Sequence, residues 1–226
     1  MKIQNFTAAM ILSLLVTITS SSAGEQMVRF DARSGSKVRI EGTSSIHDWR
    51  VEGKLIGGHL EAGPNFPTEP GQSVQPGKVD AKVEAFIPVR SLMSIEKDGR
   101  PYKADMDNKM YEKLKVENSP RIFFYLSELV LKEAPKTKDA AYVFDAKGDL
   151  VVAGATNKIS MPVTVLPLGD KKLKISGKTD AKMTDFGIQP VAKNIGPLSI
   201  KTGDEVKLSF DWMVAHKAPA AAAASK

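Results

Sequence analysis

The feature that most constrains this chain is a repeated alternation of apolar and polar residues. In residues 78–87, Val, Ala and Ile fill every second position, while charged residues fill the positions between them except at Phe86. Residues 206–214 alternate in nearly the same way. Because successive side chains of a strand point to opposite faces, this period of two predicts strands with one buried and one polar face.

Turn signals between such segments divide the chain into about eight or nine strands. Antiparallel neighbours joined by short turns avoid exposed edges by closing into a barrel. A β-sandwich would show much the same pattern, so periodicity alone leaves barrel and sandwich open.

Three local features complete this interpretation. Residues 155–158 are expected to form a hairpin turn, and Pro162 indicates an edge-like or bulged position because it lacks an amide proton. Residues 62–77 contain four Pro and three Gly, which predicts an exposed loop.

One short helix is predicted midway along the chain. Met106, Met110 and Leu114 recur four residues apart, which is helical spacing. Asp105 or Asp107 would cap the start. Pro120 would end the helix, because proline lacks the amide proton and forces the preceding residue out of the helical region.

The two ends of the chain are expected to lie outside the folded domain. Lys2 precedes an apolar run over residues 6–18 that is too short to span a membrane comfortably, and small residues lead up to Ala23. This pattern predicts a signal peptide over residues 1–23 and a periplasmic or secreted protein. The domain would then cover residues 24–216, followed by a disordered Ala-rich tail over residues 217–226.

Composition excludes several classes of site. The chain has no Cys, which excludes disulfides and thiolate metal sites. A formal charge of +6 with dispersed Lys residues fits weak attraction to an anionic membrane surface and does not indicate nucleic-acid binding. His47 and His59 have no paired metal-ligand spacing, so neither a metal nor a cofactor is predicted.

One candidate for catalysis stands out. His47 lies beside Asp48 and could form half of a catalytic pair. No nucleophile motif such as Gly-x-Ser-x-Gly accompanies them. We therefore expect the His47 ring to hold a corner of the fold by hydrogen bonds, and we predict no catalytic residues.

Motifs along most of the chain resemble those of the YceI-like family of secreted lipid-binding proteins. They are Met110-x-x-x-Leu114, Pro120-x-Ile122-x-Phe124, Ser44-x-x-His47-Asp48-Trp49, Gly148-x-Leu150-x-Val152-x-Gly154, Met161-Pro162-Val163 and Asp185-Phe186-Gly187. The resemblance implies a lipocalin-like barrel that holds a polyisoprenoid chain. It favours the barrel over the sandwich, so the fold class is all-β, an antiparallel β-barrel of about eight strands with one short helix inserted midway.

The apolar face of the strands is the predicted binding surface. Taken alone, it fits a packed core and a ligand cavity equally, because an eight-stranded barrel is just wide enough for either. The resemblance favours the cavity. The predicted ligand-binding residues are Val83, Ala85, Ile87, Met110, Leu114, Ile122, Phe124, Leu150, Val152, Ile175, Leu208, Phe210 and Trp212.

The sequence and the resemblance together predict a non-enzymatic carrier. Its ligand would be an isoprenoid lipid, either a polyprenyl chain or a quinone tail. Transient contact with a membrane surface and a homodimer are both compatible with the sequence. The alternative function is a structural or protein-interaction barrel with a solid core and no ligand.

Overall fold

The computed structural model describes residues 26–195 and 198–216. The predicted signal peptide and Ala-rich tail lie outside the described residues. The strands are β1 (Val28–Ala32), β2 (Lys37–Ser44), β3 (Trp49–Gly53), β4 (Gly57–Ala62), β5 (Gly77–Lys78), β6 (Ala81–Pro88), β7 (Leu92–Ile95), β8 (Arg121–Glu133), β9 (Tyr142–Val152), β10 (Ala155–Gly169), β11 (Lys172–Lys182), β12 (Ala192–Ile195) and β13 (Leu198–His216). The helix α1 (Ala104–Lys113) lies between β7 and β8, and short 3-10 turns cover Val89–Ser91 and Thr184–Phe186.

The shorter strands are segments of longer, interrupted ones. β1 and β2 are two parts of one strand, since both pair with β13. In the same way, β3 and β4 make the next strand and pair with β7 and β6, respectively. The strand that contains β6 also contains β5, since both pair with β8. Joined in this way, they make eight antiparallel strands, each beside its neighbour in sequence, and the β1–β13 ladder closes the ring. The predicted all-β barrel is therefore confirmed, and the sandwich is excluded.

Two tight backbone features shape this barrel. Gly58 has a φ of +108°, and a side chain there would collide with the backbone carbonyl of Glu84 on the neighbouring strand. The β9–β10 hairpin turns at Ala153 and Gly154, both with positive φ, as a two-residue hairpin turn requires. The hairpin predicted at residues 155–158 was therefore placed too late, because those residues already pair with β9.

Pro162 lies next to the end of the ladder that joins β10 to β11. It pairs with Asp145 of β9, and the pairing of β10 with β11 begins only at Val163. The missing amide proton therefore falls beside the point where the second ladder starts, in agreement with the edge-like position expected from the sequence.

One end of the barrel is filled with side chains, and we call it the packed end. Phe30, Phe144, Leu173 and Val214 are almost completely buried there. The loop predicted to be exposed contributes to this end, because Phe66 is buried and stacks on Phe144 with ring centroids 6.0 Å apart. The Tyr142 hydroxyl also donates to the Gln72 carbonyl of the same loop. The expectation of a wholly exposed loop was wrong, since the loop closes the barrel.

The helix forms where it was predicted, but its ends differ from the prediction. Its N-cap residue is Lys103, without a side-chain hydrogen bond, and Asp105 and Asp107 lie in the first turn. The helix ends at Lys113, and Lys115, two residues later, takes a left-handed conformation with φ of 52°. The helix has therefore ended well before Pro120, so Pro120 does not end it. No helix among the described residues is long and apolar enough to cross a membrane.

Candidate ligand-binding cavity

The other half of the barrel is hollow. A cavity of about 550 Å³ lies there, within the usual range for small-molecule sites of about 300–1,000 Å³. Phe66 and Leu60, both buried, line it where it meets the packed end. We call its opening the mouth and define it by Ile46, Met106 and Val191, which line the cavity and are also exposed.

Inward-facing side chains differ between the two halves. At the packed end they are almost inaccessible, whereas Val83, Ala85 and Phe210 of the hollow half remain only partly buried although they face inward. The same alternation of residues therefore builds a solid core at one end and a lined cavity at the other.

All of the predicted ligand-binding residues line this one cavity. They come from five strands and the helix: Val83, Ala85 and Ile87 (β6), Met110 and Leu114 (α1 and its C-terminal end), Ile122 and Phe124 (β8), Leu150 and Val152 (β9), Ile175 (β11), and Leu208, Phe210 and Trp212 (β13). Contact between these residues and a ligand stays a prediction.

The sequence analysis missed part of the lining. Ile159, Met161 and Val163 of β10 could have been found, because they alternate in the same way as the residues that were named. Phe186 and Ile188 also line the cavity, but they lie in and after a 3-10 turn, where no period of two exists to identify them.

Three aromatic rings lie against the barrel wall, each over a glycine that leaves room for it. The ring of Phe210 lies over Gly177, so that a side chain there would come within 2.7 Å of it, and the ring of Phe124 covers Gly148 with a corresponding distance of 2.6 Å. The Trp49 indole lies over Gly42 in the same manner. Glycine in a strand often marks such a close approach. These rings therefore occupy the wall, which leaves the lumen open.

Two side chains hold α1 at the mouth. Asp107 accepts hydrogen bonds from the amide of Ser94 at 2.7 Å and from its hydroxyl at 2.6 Å. The Tyr111 hydroxyl donates to the Leu92 carbonyl at 2.8 Å. Burial, and then the nearby Asp107 charge, raises the pKa of Tyr111, so the hydroxyl remains a donor to higher pH than that of an unperturbed tyrosine. The helix is thereby fixed to β7 with Met106 and Met110 facing the cavity.

His47 occupies a hydrogen-bonded corner at the mouth. Its Nδ1 lies 2.8 Å from the Asp48 backbone oxygen, and its ring packs edge-on against Tyr102 at 6.2 Å between centroids. The Ser44 hydroxyl donates to the His47 carbonyl at 2.7 Å rather than to the imidazole. This geometry agrees with the structural role expected from the sequence.

No metal site emerges in the part of the chain that the structure describes. Among residues 26–195 and 198–216, no group of three or more His, Asp or Glu side chains is placed to hold a metal ion.

Comparison with known proteins identifies a family. The model of the YceI-like domain matches residues 34–214, which is most of the chain. No curated protein matches it significantly.

Solved structures share the fold at low sequence identity. BcnA of Burkholderia cenocepacia is 17% identical with a TM-score of 0.54, and the match covers 80% of this chain and 96% of BcnA. A polyisoprenoid binding domain from Saccharophagus degradans, implicated in plant cell wall breakdown, is 9% identical with a TM-score of 0.58. That match covers 85% of this chain and 100% of the domain. At these identities the likeness concerns the fold alone.

Proposed function

The chain belongs to the YceI-like family, and from that membership and the hollow half of its barrel we propose that it is a non-enzymatic carrier of an isoprenoid lipid. The lipid would be a polyprenyl chain or the tail of a quinone. The observation that carries the proposal is the division of the barrel into a packed end and an open apolar cavity. A carrier needs both, because the packed end supplies stability and the cavity supplies the binding volume.

The physics of burial explains why such a site needs no further chemistry. Each methylene group moved from water into an apolar cavity contributes about 0.8 kcal/mol. A chain with many such groups is held firmly by the walls alone. Met106 and Met110 add adaptable contacts at the mouth, because the unbranched thioether side chain adjusts to irregular surfaces.

The isoprenoid part of the proposal draws on one structural neighbour. The Saccharophagus degradans domain is described as polyisoprenoid binding, and it is covered along its whole length by this fold. The same ligand class suits an apolar cavity that begins at an open mouth and ends at Phe66.

We further propose that the carrier acts in the periplasm or outside the cell after removal of residues 1–23. Transient contact of the mouth with a membrane surface would let the lipid enter without crossing water. Ile46, Met106 and Val191 are exposed there and could make such a contact. A homodimer is compatible with this role but is not required by it.

The alternative of a structural barrel with a solid core fits only one half of the molecule. Phe144 and Leu173 are packed as that alternative requires, but Val83 and Phe210 border open space. The cavity therefore favours the carrier.

Lipid extraction tests the proposal. Protein purified from its native host would be extracted with organic solvent and the extract analysed by mass spectrometry. We expect an isoprenoid in a near-equimolar amount. Absence of any lipid, together with failure of the delipidated protein to take up added farnesol, would contradict the carrier.

A His47→Ala variant separates carrier from hydrolase. If the protein is a carrier, the variant should show lower stability or weaker lipid retention, because the corner at residues 44–49 loses its hydrogen bond and ring contact. A hydrolytic activity of the wild-type protein that disappears in this variant would overturn it.

A further inference from the structure

The depth at which the cavity ends can be read along the strands. On four strands, one inward residue lines the cavity, while the next inward residue, two positions nearer the packed end, is buried and does not line it. With the lining residue first, the pairs are Leu60 and Ala62 (β4), Ala146 and Phe144 (β9), Ile175 and Leu173 (β11), and Trp212 and Val214 (β13). We call the four lining residues, together with Phe66, the floor of the cavity.

Phe66 differs from the other floor residues because a loop supplies it. It lies in the segment between β4 and β5, lines the cavity and is only 2% exposed. Its ring stacks on that of Phe144, with an interplanar angle of 12°. The ring of Phe66 therefore has the cavity on one side and the packed end on the other.

The loop is fixed to the barrel by polar contacts that do not involve the Phe66 ring. The Tyr142 hydroxyl donates to the Gln72 carbonyl. The Asn65 side-chain oxygen accepts a hydrogen bond from the Asp80 amide at 3.1 Å, and the Asp80 carbonyl accepts one from the amide at residue 63 at 2.8 Å. A smaller side chain at Phe66 should therefore deepen the cavity while the loop stays in place.

An apolar floor limits how much of a lipid tail can be buried. Each methylene group adds to the binding free energy only while it leaves water for the cavity. Once the tip of the tail reaches the floor, a further isoprene unit must stay outside in water or be forced into filled space, which costs free energy. Affinity should therefore rise with tail length up to one limit and then stop rising.

We infer that Phe66 sets this limit and is thus a specificity-determining residue, which selects isoprenoid lipids by the number of isoprene units in the tail. This inference rests on the proposed carrier function and concerns the tail alone. Phe66 would act by shape, as the part of the floor that the barrel strands do not provide.

The test is a competition among ligands that differ only in tail length. Delipidated protein would be equilibrated with an equimolar mixture of prenyl alcohols, from geraniol and farnesol to geranylgeraniol and longer homologues, supplied in detergent micelles. After gel filtration, the bound alcohols would be counted by mass spectrometry. For the wild-type protein we expect the bound amount to rise with length and to stop rising at one alcohol, which defines the limit.

Phe66→Ala should move the limit to a longer tail. The phenyl ring that is removed and one isoprene unit are similar in size, so the limit should move by one unit. The ratio of the first alcohol beyond the wild-type limit to the alcohol at that limit should rise about tenfold over wild type, the effect of burying two further methylene groups. Phe66→Leu, a milder change, should move the ratio in the same direction by a smaller factor.

Two matched variants locate the effect. Phe30→Ala removes the same ring at the packed end, where Phe30 is 1% exposed and does not line the cavity, and should keep the wild-type distribution of bound alcohols. Ala146→Leu adds atoms to the floor and should favour a tail one unit shorter.

The possible outcomes separate the inference from the carrier function. A wild-type distribution in Phe66→Ala, or in Phe66→Leu if the Ala variant does not fold, would overturn the role of Phe66 and leave the carrier intact. A shift in Phe30→Ala as large as that in Phe66→Ala would also overturn it, because a loosened barrel rather than the floor would then set the length. Failure of the wild-type protein to bind any of the alcohols would instead contradict the carrier, and the inference with it.

Discussion

The substitution Val83→Phe tests whether the hollow half of the barrel holds open space. Val83 faces inward from the middle of β6, lines the cavity and is only partly buried, with Ala81 and Ala85 on either side along the strand. Its cross-strand partner is the buried Leu60. A benzyl group at this position would extend into the cavity rather than into other side chains.

The expected stability change follows from this geometry. Adding atoms to a filled core costs about 1–3 kcal/mol. In a domain of this size each kcal/mol lowers Tm by about 2–4 °C. Because the cavity accepts the ring, we expect Val83→Phe to cost less than about 0.5 kcal/mol, as for a surface substitution, and to lower Tm of the delipidated protein by less than about 2 °C.

Lipid binding, in contrast to stability, should weaken clearly. The new ring takes space that the isoprenoid tail would use. If two methylene groups lose their place, binding weakens by about 1.6 kcal/mol, or somewhat more than tenfold. The assays are thermal melting of delipidated protein and lipid content of the protein as purified.

Two controls make the result decisive. Val214→Phe is the same chemical change at the packed end, where Val214 is almost fully buried, and should lower Tm by about 2–12 °C. Lys82→Phe places the same ring on the outer face, where the Lys82 side chain is 76% exposed, and should leave lipid content unchanged. If Val83→Phe melts as low as Val214→Phe and the wild-type protein carries no lipid, the reasoning is refuted.

Three further predictions concern the chain ends, the backbone and acid stability. Intact-mass measurement on protein from the native host should show a chain that starts at Gly24; a mass that retains the initiator methionine would contradict export. Gly58→Ala should lower the free energy of unfolding in urea by about 3 kcal/mol or more, because it adds a collision with the neighbouring backbone to the strain of a positive φ. Its control is Gly99→Ala, which has a positive φ but open space around it and should cost about 1 kcal/mol. Burial alone would raise the pKa of Glu52, but hydrogen bonds from Arg39 and then Lys37 outweigh it and lower the pKa below its usual 4.5. The Glu52 carboxylate therefore stabilises the fold above that pH, and this contribution is lost as pH falls through the lowered pKa. The stability difference between wild type and Glu52→Gln should therefore be constant at neutral pH and shrink in acid; a constant difference down to about pH 3 would be the contrary result.

Local patterns were enough to identify the inward face of the strands. A period of two assigns each residue to one side of the sheet whatever the strand pairs with. Val83, Leu150 and Phe210 therefore come to the same interior although they lie far apart in the chain. The helix was found for the same reason, since its spacing is also local.

Predictions failed where a distant residue competed for a local group. Asp107 was a candidate for the helix cap, but it lies in the first turn and its carboxylate accepts hydrogen bonds from Ser94 of β7 instead of from helix amides. Phe66 belongs to a segment rich in Pro and Gly that looks exposed, yet it is buried against Phe144 of β9. Neither partner is visible in the local sequence.

By itself, the sequence determined which residues face inward, that the chain is all-β with one helix, and which family motifs it carries. Only the tertiary structure decided where the interior is solid and where it is open. Val83 and Val214 both alternate with polar or outward residues in the same way, but one borders the cavity and the other the packed end. The reason is that alternation specifies the side of a strand and not the depth along the barrel. That depth depends on closure between β1 and β13, on the loop that carries Phe66, and on the glycines that hold aromatic rings against the wall, and all of these are contacts between residues distant in sequence.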